Sequence, residues 1–317
     1  MVNEKHNNFE IIEGDIRKSD NILVDGFFQC IITSPPYFGL RKYSKGDESE
    51  IGQEKSHADY VQNIVECFSL VKKKLRTDGL LWLNIGDCYK GKNLLGVPWR
   101  VALALQDDGW LLRSDIIWHK PNATPSSVKD RPTIAHEYIF LFSKSEKYYY
   151  DADAIREQHV TFTDKSKMRG GRNHFGKKNG TPEQGKNNGN QNLHAGRWDQ
   201  AFHPKGRNKR TVWEIPVGKF REAHFAVYPE KLVEVCLLAS TKPGDIILDP
   251  FCGSGTTGVV ALKHNRRFIG VELVSQYKKM ADKRIINSLG QNSRQLVFDL
   301  GQHNITAFPD QNTTGLQ

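Results

Sequence analysis

No run of apolar residues in this chain is long enough to cross a bilayer, which argues against a membrane-spanning helix. The opening MVNEKHNNFE is too polar for a secretory signal, so the expectation is a cytoplasmic protein with no membrane partner. Cysteine is sparse. Its five copies (Cys30, Cys67, Cys88, Cys236, Cys252) are scattered without a C-x-x-C pair, which argues against a zinc site or a disulfide framework. Cys30, Cys67 and Cys236 sit in apolar neighbourhoods, where buried packing is expected. There is no internal repeat, and no histidine stands out as a catalytic base.

Acidic charge is short as well. The 45 Lys and Arg exceed the 36 Asp and Glu, giving a net charge of +9, which suggests an anionic partner. The excess is local. Between Arg156 and Arg210 stand 13 basic residues against four acids, so this stretch alone accounts for +9 and the remainder balances. It is rich in Gly and Asn and nearly empty of aliphatic residues, so it cannot pack a core of its own and reads as a long loop or insertion. Phe175, Trp198 and Phe202 and the histidines at 174, 194 and 203 are interleaved with the positive charge, the look of an element that meets nucleic acid. Lys165, Lys167, Arg169, Arg172, Lys177, Lys178, Arg197, Lys205, Arg207, Lys209 and Arg210 are the candidate nucleic-acid contacts, with Arg41 and Lys42 in a polar stretch nearer the N-terminus. A solvated linker is the competing reading.

On either side of this segment, strand-like and helical runs alternate. Phe9–Ile12, Phe27–Ile32, Gly79–Ile85, Asp115–Trp118, Glu137–Phe142, Asp245–Leu248 and Phe268–Val271 read as strands. Tyr60–Leu75, Trp99–Leu105, Pro229–Ala239, Thr256–His264 and Gln276–Ile286 read as helices. Such alternation predicts an α/β fold with a mostly parallel sheet covered on both faces.

One strand leads into DPFCGSGTTG, where Gly253, Gly255 and Gly258 have G-x-G-x-x-G spacing ahead of a helix. Glycines there let the backbone turn tightly and approach a ligand, with free N–H groups at the helix start. Glu272 closes the next strand, where a carboxylate can accept both hydroxyls of a ribose. This predicts a nucleoside-containing cofactor, and both a nicotinamide dehydrogenase and a methyltransferase fit.

The strand ending at Ile32 is stopped by Thr33-Ser34-Pro35-Pro36-Tyr37. Proline supplies no N–H, so nearby carbonyls lack a sheet partner and can face a ligand in the crevice at the strand ends. Ser34 Oγ and the Pro35 carbonyl can accept hydrogen bonds from an exocyclic amine, and Tyr37 offers a face to a flat base. Such an amine is a poor nucleophile because its lone pair is delocalised. Acceptors that draw on its hydrogens turn the lone pair toward an electrophilic methyl, with no covalent intermediate. In duplex DNA the base must first be flipped out.

Together, TSPPY and DPFCGSGTT resemble the motifs of the DNA amino-methyltransferases of the N4-cytosine/N6-adenine family, in the β-type order with the catalytic motif first. The resemblance implies a seven-stranded, mostly parallel Rossmann-like sheet with permuted motif order. Residues 1–155 would form the catalytic half, 156–212 the basic target-recognition insertion, 213–288 the cofactor-binding half and 289–317 a polar tail. It implies S-adenosyl-L-methionine as cofactor and no metal. Ser34, Pro35, Pro36 and Tyr37 would be catalytic. Asp15, Thr33, Asp249, Pro250, Phe251, Gly253, Ser254, Gly255, Thr256, Thr257 and Glu272 would bind the cofactor, with His224 and Phe225 closing over its methionine end. The partner would be double-stranded DNA.

Family members acting on cytosine N4 usually carry Ser before Pro-Pro-Tyr, so Ser34 favours cytosine, with adenine N6 as the alternative. Trp118, His119 and Lys120 form a candidate wall of the base pocket, with a Trp packed under the sheet as the competing reading. An RNA or protein-glutamine methyltransferase and a catalytically dead DNA-binding scaffold are the rivals. The target sequence, a cognate restriction endonuclease and the choice between monomer and homodimer stay open at this point.

Overall fold

The computed structural model describes residues 8–40, 50–158, 205–218 and 227–289. Its strands are β1 (Phe9–Glu13), β2 (Phe28–Thr33), β3 (Leu75–Ile85), the short pair β4 (Tyr89–Lys90) and β5 (Asn93–Leu94), β6 (Leu111–His119), β7 (His136–Ser143), β8 (Val212–Glu214), β9 (Ile246–Asp249) and β10 (Arg267–Glu272). The α-helices are α1 (His57–Lys74), α2 (Val97–Asp107), α3 (Glu230–Ser240), α4 (Thr256–Lys263) and α5 (Ser275–Ser288).

Eight strands form one sheet in the order β1-β10-β9-β2-β3-β7-β6-β8. The five from β1 to β3 are mutually parallel, whereas β7 runs antiparallel to both its neighbours. The expected α/β class holds, but the expected count of seven becomes eight. The addition is β8, three residues that pair parallel to the end of β6 and put Trp213 beside Trp118. So short a segment carries too little pattern to be read as a strand from sequence.

Side-chain alternation along the strands divides the core in two. Ile31, Leu81, Leu83, Phe140 and Phe142 face α1 and α2, meeting Tyr60, Ile64 and Phe68 of α1 and Val101 and Leu105 of α2. Cys30, Ile32, Leu80, Trp82 and Leu141 face the opposite way, toward Val233, Cys236 and Leu237 of α3 and Val259 and Val260 of α4. Full burial of one such side chain is worth ~1.5–3 kcal/mol, and two populated faces fix the strand register because a one-residue slip would exchange them.

This arrangement places the site. The chain leaves β2 through α1 to β3 and leaves β9 through α4 to β10, so the two neighbours β2 and β9 depart in opposite directions across the sheet. A crevice opens where they diverge, at the carboxyl ends of the strands. Thr33-Ser34-Pro35-Pro36-Tyr37 and the glycine turn meet there. Because β7 is antiparallel, its first residues lie at that same edge, beside the ends of β3 and β6.

Candidate active site

A cavity of about 400 Å3 runs along this edge. Its size is that of a small-molecule site. One half is built on β1, β9 and β10. The tight turn after β9 needs left-handed backbone at Gly253 (φ +53°) and Gly255 (φ +76°), and a Cβ at Gly255 would sit 3.0 Å from the Ala281 methyl. Pro250, Phe251, Gly253, Ser254 and Thr256 line the cavity, with Asp15 and Glu272 facing them and Tyr277 and Met280 adding apolar surface. Gly253 N–H donates to Glu272 Oε2 (2.7 Å) and Val274 N–H to Oε1 (2.9 Å). Each carboxylate oxygen keeps a lone pair for a further donor. Burial raises the Glu272 carboxyl above its ordinary pKa, against the pull of these backbone hydrogen bonds. The Asp15 carboxylate caps the short helix that follows it and is forked by the Arg17 guanidinium (2.6 Å at the closest).

Thr33, Asp249, Gly255 and Thr257 do not line the cavity; they brace it from behind. Asp249, 1% exposed, accepts from Thr33 Oγ1 (2.6 Å), Thr257 Oγ1 (2.6 Å), Phe251 N–H (3.1 Å) and Tyr228 O–H (3.2 Å). These bonds tie the end of β2 to the end of β9 and so join the two halves of the site. Burial raises the Asp249 carboxyl, while the hydrogen bonds from Thr257 and Thr33 oppose the shift. Arg284 was not singled out from the sequence. From α5 it donates to Ser254 Oγ (3.0 Å) and Thr256 Oγ1 (2.7 Å), holding the glycine turn.

The other half is built on β2, β3, β6 and β7. Ser34, Pro35, Pro36 and Tyr37 line it with Asn84, Trp118, Lys120 and Glu137. The Ser34 hydroxyl donates to the Tyr37 oxygen (3.3 Å), and the Tyr37 hydroxyl donates to Glu137 Oε2 (2.8 Å). The direction of this chain matters: with its hydrogen turned to Tyr37, Ser34 Oγ has lone pairs left to accept from a ligand. Tyr60 O–H donates to the Pro36 carbonyl (2.8 Å), whereas the Pro35 carbonyl has no hydrogen-bond donor among the described residues. Burial, and then the Glu137 charge, push the Tyr37 hydroxyl well above its ordinary pKa, so it stays protonated. Its ring lies against Gly86, where a Cβ would come within 2.7 Å of Cε2.

Glu137 is held by Asn84 Nδ2 (3.0 Å) and by an ion pair with Lys120, whose ammonium lies 4.5 Å above the Trp118 ring. Trp118 joins both sequence readings: it is 2% exposed, bonds the Ile215 carbonyl through Nε1 (2.7 Å), and still lines the cavity. His119 turns away and pairs with Glu214. Glu137 and Asn84 were missed. The signal available for Glu137 was a carboxylate opening an otherwise apolar strand, at the edge where catalysis was expected.

His224, Phe225, Arg41, Lys42, Lys165, Lys167, Arg169, Arg172, Lys177, Lys178 and Arg197 lie outside the described residues. Of the remaining basic candidates, Arg207, Lys209 and Arg210 pair with Glu157 (3.3, 3.4 and 3.5 Å) and Lys205 with Asp153 (3.8 Å), the side chains of Lys205 and Arg210 being two-thirds exposed.

A family model described as DNA methylase (N6_N4_Mtase) matches residues 28–283, most of the chain. The protein belongs to this DNA methylase family. As a DNA methylase of the family it takes S-adenosyl-L-methionine as cofactor. The donor set fits that molecule: a buried carboxylate at a strand end, turn N–H groups, and apolar walls around them. Among curated proteins the DNA methylase is 41% identical to the Type II methyltransferase M.Cfr9I of Citrobacter freundii, over 88% of each chain. It is 40% identical to M.SmaI of Serratia marcescens, over 87% of this chain and 90% of that one. Among solved structures, the cytosine-N4-specific PvuII DNA methyltransferase superposes with a TM-score of 0.63 at 21% identity, covering 93% of this chain and 91% of that one. A Thermus thermophilus protein solved with S-adenosyl-L-methionine superposes with a TM-score of 0.57 at 22% identity, covering 89% of this chain and 95% of that one. At these identities the solved structures speak for the fold of the DNA methylase alone.

Proposed function

We propose that this DNA methylase modifies the exocyclic N4 amine of a cytosine flipped out of duplex DNA, at a specific sequence. The observation that supports transfer to an exocyclic amine is the placing of Ser34 in the cavity with its hydroxyl donating to Tyr37, which leaves Oγ lone pairs to accept from the amine; the serine before Pro-Pro-Tyr is what favours cytosine. When bound, S-adenosyl-L-methionine supplies an electrophilic methyl group.

The chain's own residues prepare the nucleophile. Ser34 Oγ and the Pro35 carbonyl take the two amine hydrogens and rotate the lone pair out of conjugation. With the cofactor bound, positive charge would grow on the amine nitrogen as the new N–C bond formed and the methyl–sulfur bond broke to leave a neutral thioether, and one amine proton would then pass to water. Glu137, linked to Ser34 through Tyr37 and sharing its charge with Lys120, polarises that chain toward the amine without reorganisation. The relay offsets the weaker acceptor strength of a hydroxyl compared with a carboxylate. Glu272 holds the ribose, the turn at Gly253–Thr256 takes the methionine end, and the basic insertion at 156–212 contacts DNA and selects the target. A companion restriction endonuclease fits the naming of the two relatives as Type II enzymes.

Adenine N6 is the alternative, since the same two acceptors serve either amine. The test compares transfer of labelled methyl groups to DNA by the native protein and by Ser34→Ala, with cofactor affinity measured on both. Loss of transfer on the order of 100-fold at unchanged affinity is expected. Equal transfer by the two proteins overturns the role of Ser34.

A further inference from the structure

A flipped cytosine and a flipped adenine present the same first two groups to this pocket, an exocyclic amine and a ring nitrogen beside it. They differ at the third position of the edge, where cytosine carries the O2 carbonyl and adenine a C2–H. An enzyme that prefers cytosine therefore gains from a donor placed at the far end from Ser34.

Most polar hydrogens on this wall are committed. The Ser34 hydroxyl donates to Tyr37 and the Tyr37 hydroxyl to Glu137, while Asn84 Nδ2 donates to Glu137 (3.0 Å) and to the Tyr138 carbonyl (3.1 Å). Lys120 is different. Its ammonium has three N–H groups, and among the described residues its one hydrogen-bond acceptor is Glu137. Lys120 lines the cavity, and three N–H groups on one hydrogen-bond acceptor leave it donors to spare for a ligand there.

The sheet places Lys120 on the correct side. Ser34 follows β2 and Lys120 follows β6, with β3 and β7 between them. Three strand spacings, roughly 14 Å between backbones, separate the two. Ser34 and Lys120 both line the cavity and stand at the two ends of one bonded chain, Ser34–Tyr37–Glu137–Lys120, so a base seated along that chain can meet both. Glu137 neutralises the ammonium, so a hydrogen bond from Lys120 withdraws less electron density from the reacting amine than an unpaired cation would.

We propose that Lys120 donates a hydrogen bond to O2 of the flipped cytosine and thereby determines the preference for cytosine over adenine. The inference rests on the N4-cytosine reading above.

The experiment begins by mapping the methylated base and its sequence in plasmid DNA treated with the native protein. Adenine as the mapped base ends the cytosine reading before any variant is made, and the present inference with it. With cytosine mapped, two duplexes are compared: one with cytosine at the target, the other with the C-nucleoside of 2-aminopyridine. The analogue keeps the amine and the adjacent ring nitrogen but has hydrogen in place of O2, and mildly alkaline buffer keeps its ring unprotonated. For the native protein, loss of O2 is expected to lower kcat/KM on the order of tenfold or more. Lys120→Met is expected to lose a similar factor on cytosine and to be indifferent to loss of O2. The analogue measurement on the native protein stands even if the variant folds poorly. A native enzyme indifferent to O2, or a Lys120→Met variant that loses the same factor on both duplexes, overturns the assignment.

Discussion

The hydroxyl of Tyr37 donates to Oε2 of Glu137 across 2.8 Å, linking residues one hundred positions apart in sequence. That bond orients the Tyr37 oxygen, which receives the Ser34 hydroxyl and so sets which lone pairs Ser34 turns to the cavity. Glu137 is fixed in turn by Asn84 and Lys120. The cavity-lining serine is thus the end of a directed chain anchored on a carboxylate.

Glu137→Gln keeps the shape of the side chain but removes its charge and places an amide where two acceptors stood. Single-turnover methyl transfer is expected to slow on the order of 10- to 100-fold, with cofactor affinity unchanged. Tyr37→Phe interrupts the same chain and is expected to share most of that loss. Additive losses in the double variant would show that the two side chains act separately.

Glu272 makes cofactor affinity depend on pH. In the function proposed above its carboxylate accepts from the ribose, and burial raises its pKa. As pH falls, the group takes up a proton above the ordinary carboxylate range, and affinity declines with it. Calorimetric titration with S-adenosyl-L-methionine is expected to show weakening that begins above that range and disappears in Glu272→Gln, whose affinity is lower on the order of tenfold or more throughout. Identical pH profiles for the two proteins would contradict the role.

All five cysteines are buried in the native protein. Burial pushes the Cys30 thiol up to about 12, and the Cys67 thiol likewise to about 12. Thiolate is the reactive form, so an aromatic disulfide reagent is expected to leave native activity intact and to titrate five thiols only after denaturation. Rapid inactivation of the folded protein would show an accessible thiol.

The basic insertion carries an expectation of its own. Replacing Lys165, Lys167, Arg169 and Arg172 with Gln should weaken DNA binding at every sequence tested. If all four contact phosphate, the slope of log K against log salt should flatten by about 3.6. A slope unchanged by the four substitutions would make this stretch a linker.

Much of this was legible because local patterns and global fold agree. The Leu80–Ile85 strand alternates between two apolar layers, and the α1 face carries Tyr60, Ile64, Phe68 and Val71 toward the sheet. TSPPY and the glycine turn are contiguous motifs, so their residues could be named in advance. The misses have two physical causes. Glu137 reaches the site only because β7 reverses direction beside β3, and strand direction in a short apolar run leaves no mark on residue order; Lys120, at the end of β6, was among the residues expected there. Thr33, Asp249 and Thr257 sit inside the motifs but face inward, because tying β2 to β9 takes polar side chains as surely as holding a ligand does.

The central claim is that Ser34 presents an acceptor to the amine of a flipped cytosine. It is tested most directly by incubating DNA of mixed sequence with the protein and S-adenosyl-L-methionine, digesting to nucleosides and weighing the products. N4-methylcytosine, formed on the order of 100-fold more slowly by Ser34→Ala, is the expected result. N6-methyladenine would contradict the assignment of the base, and no methylated nucleoside on any DNA would contradict the assignment of the activity.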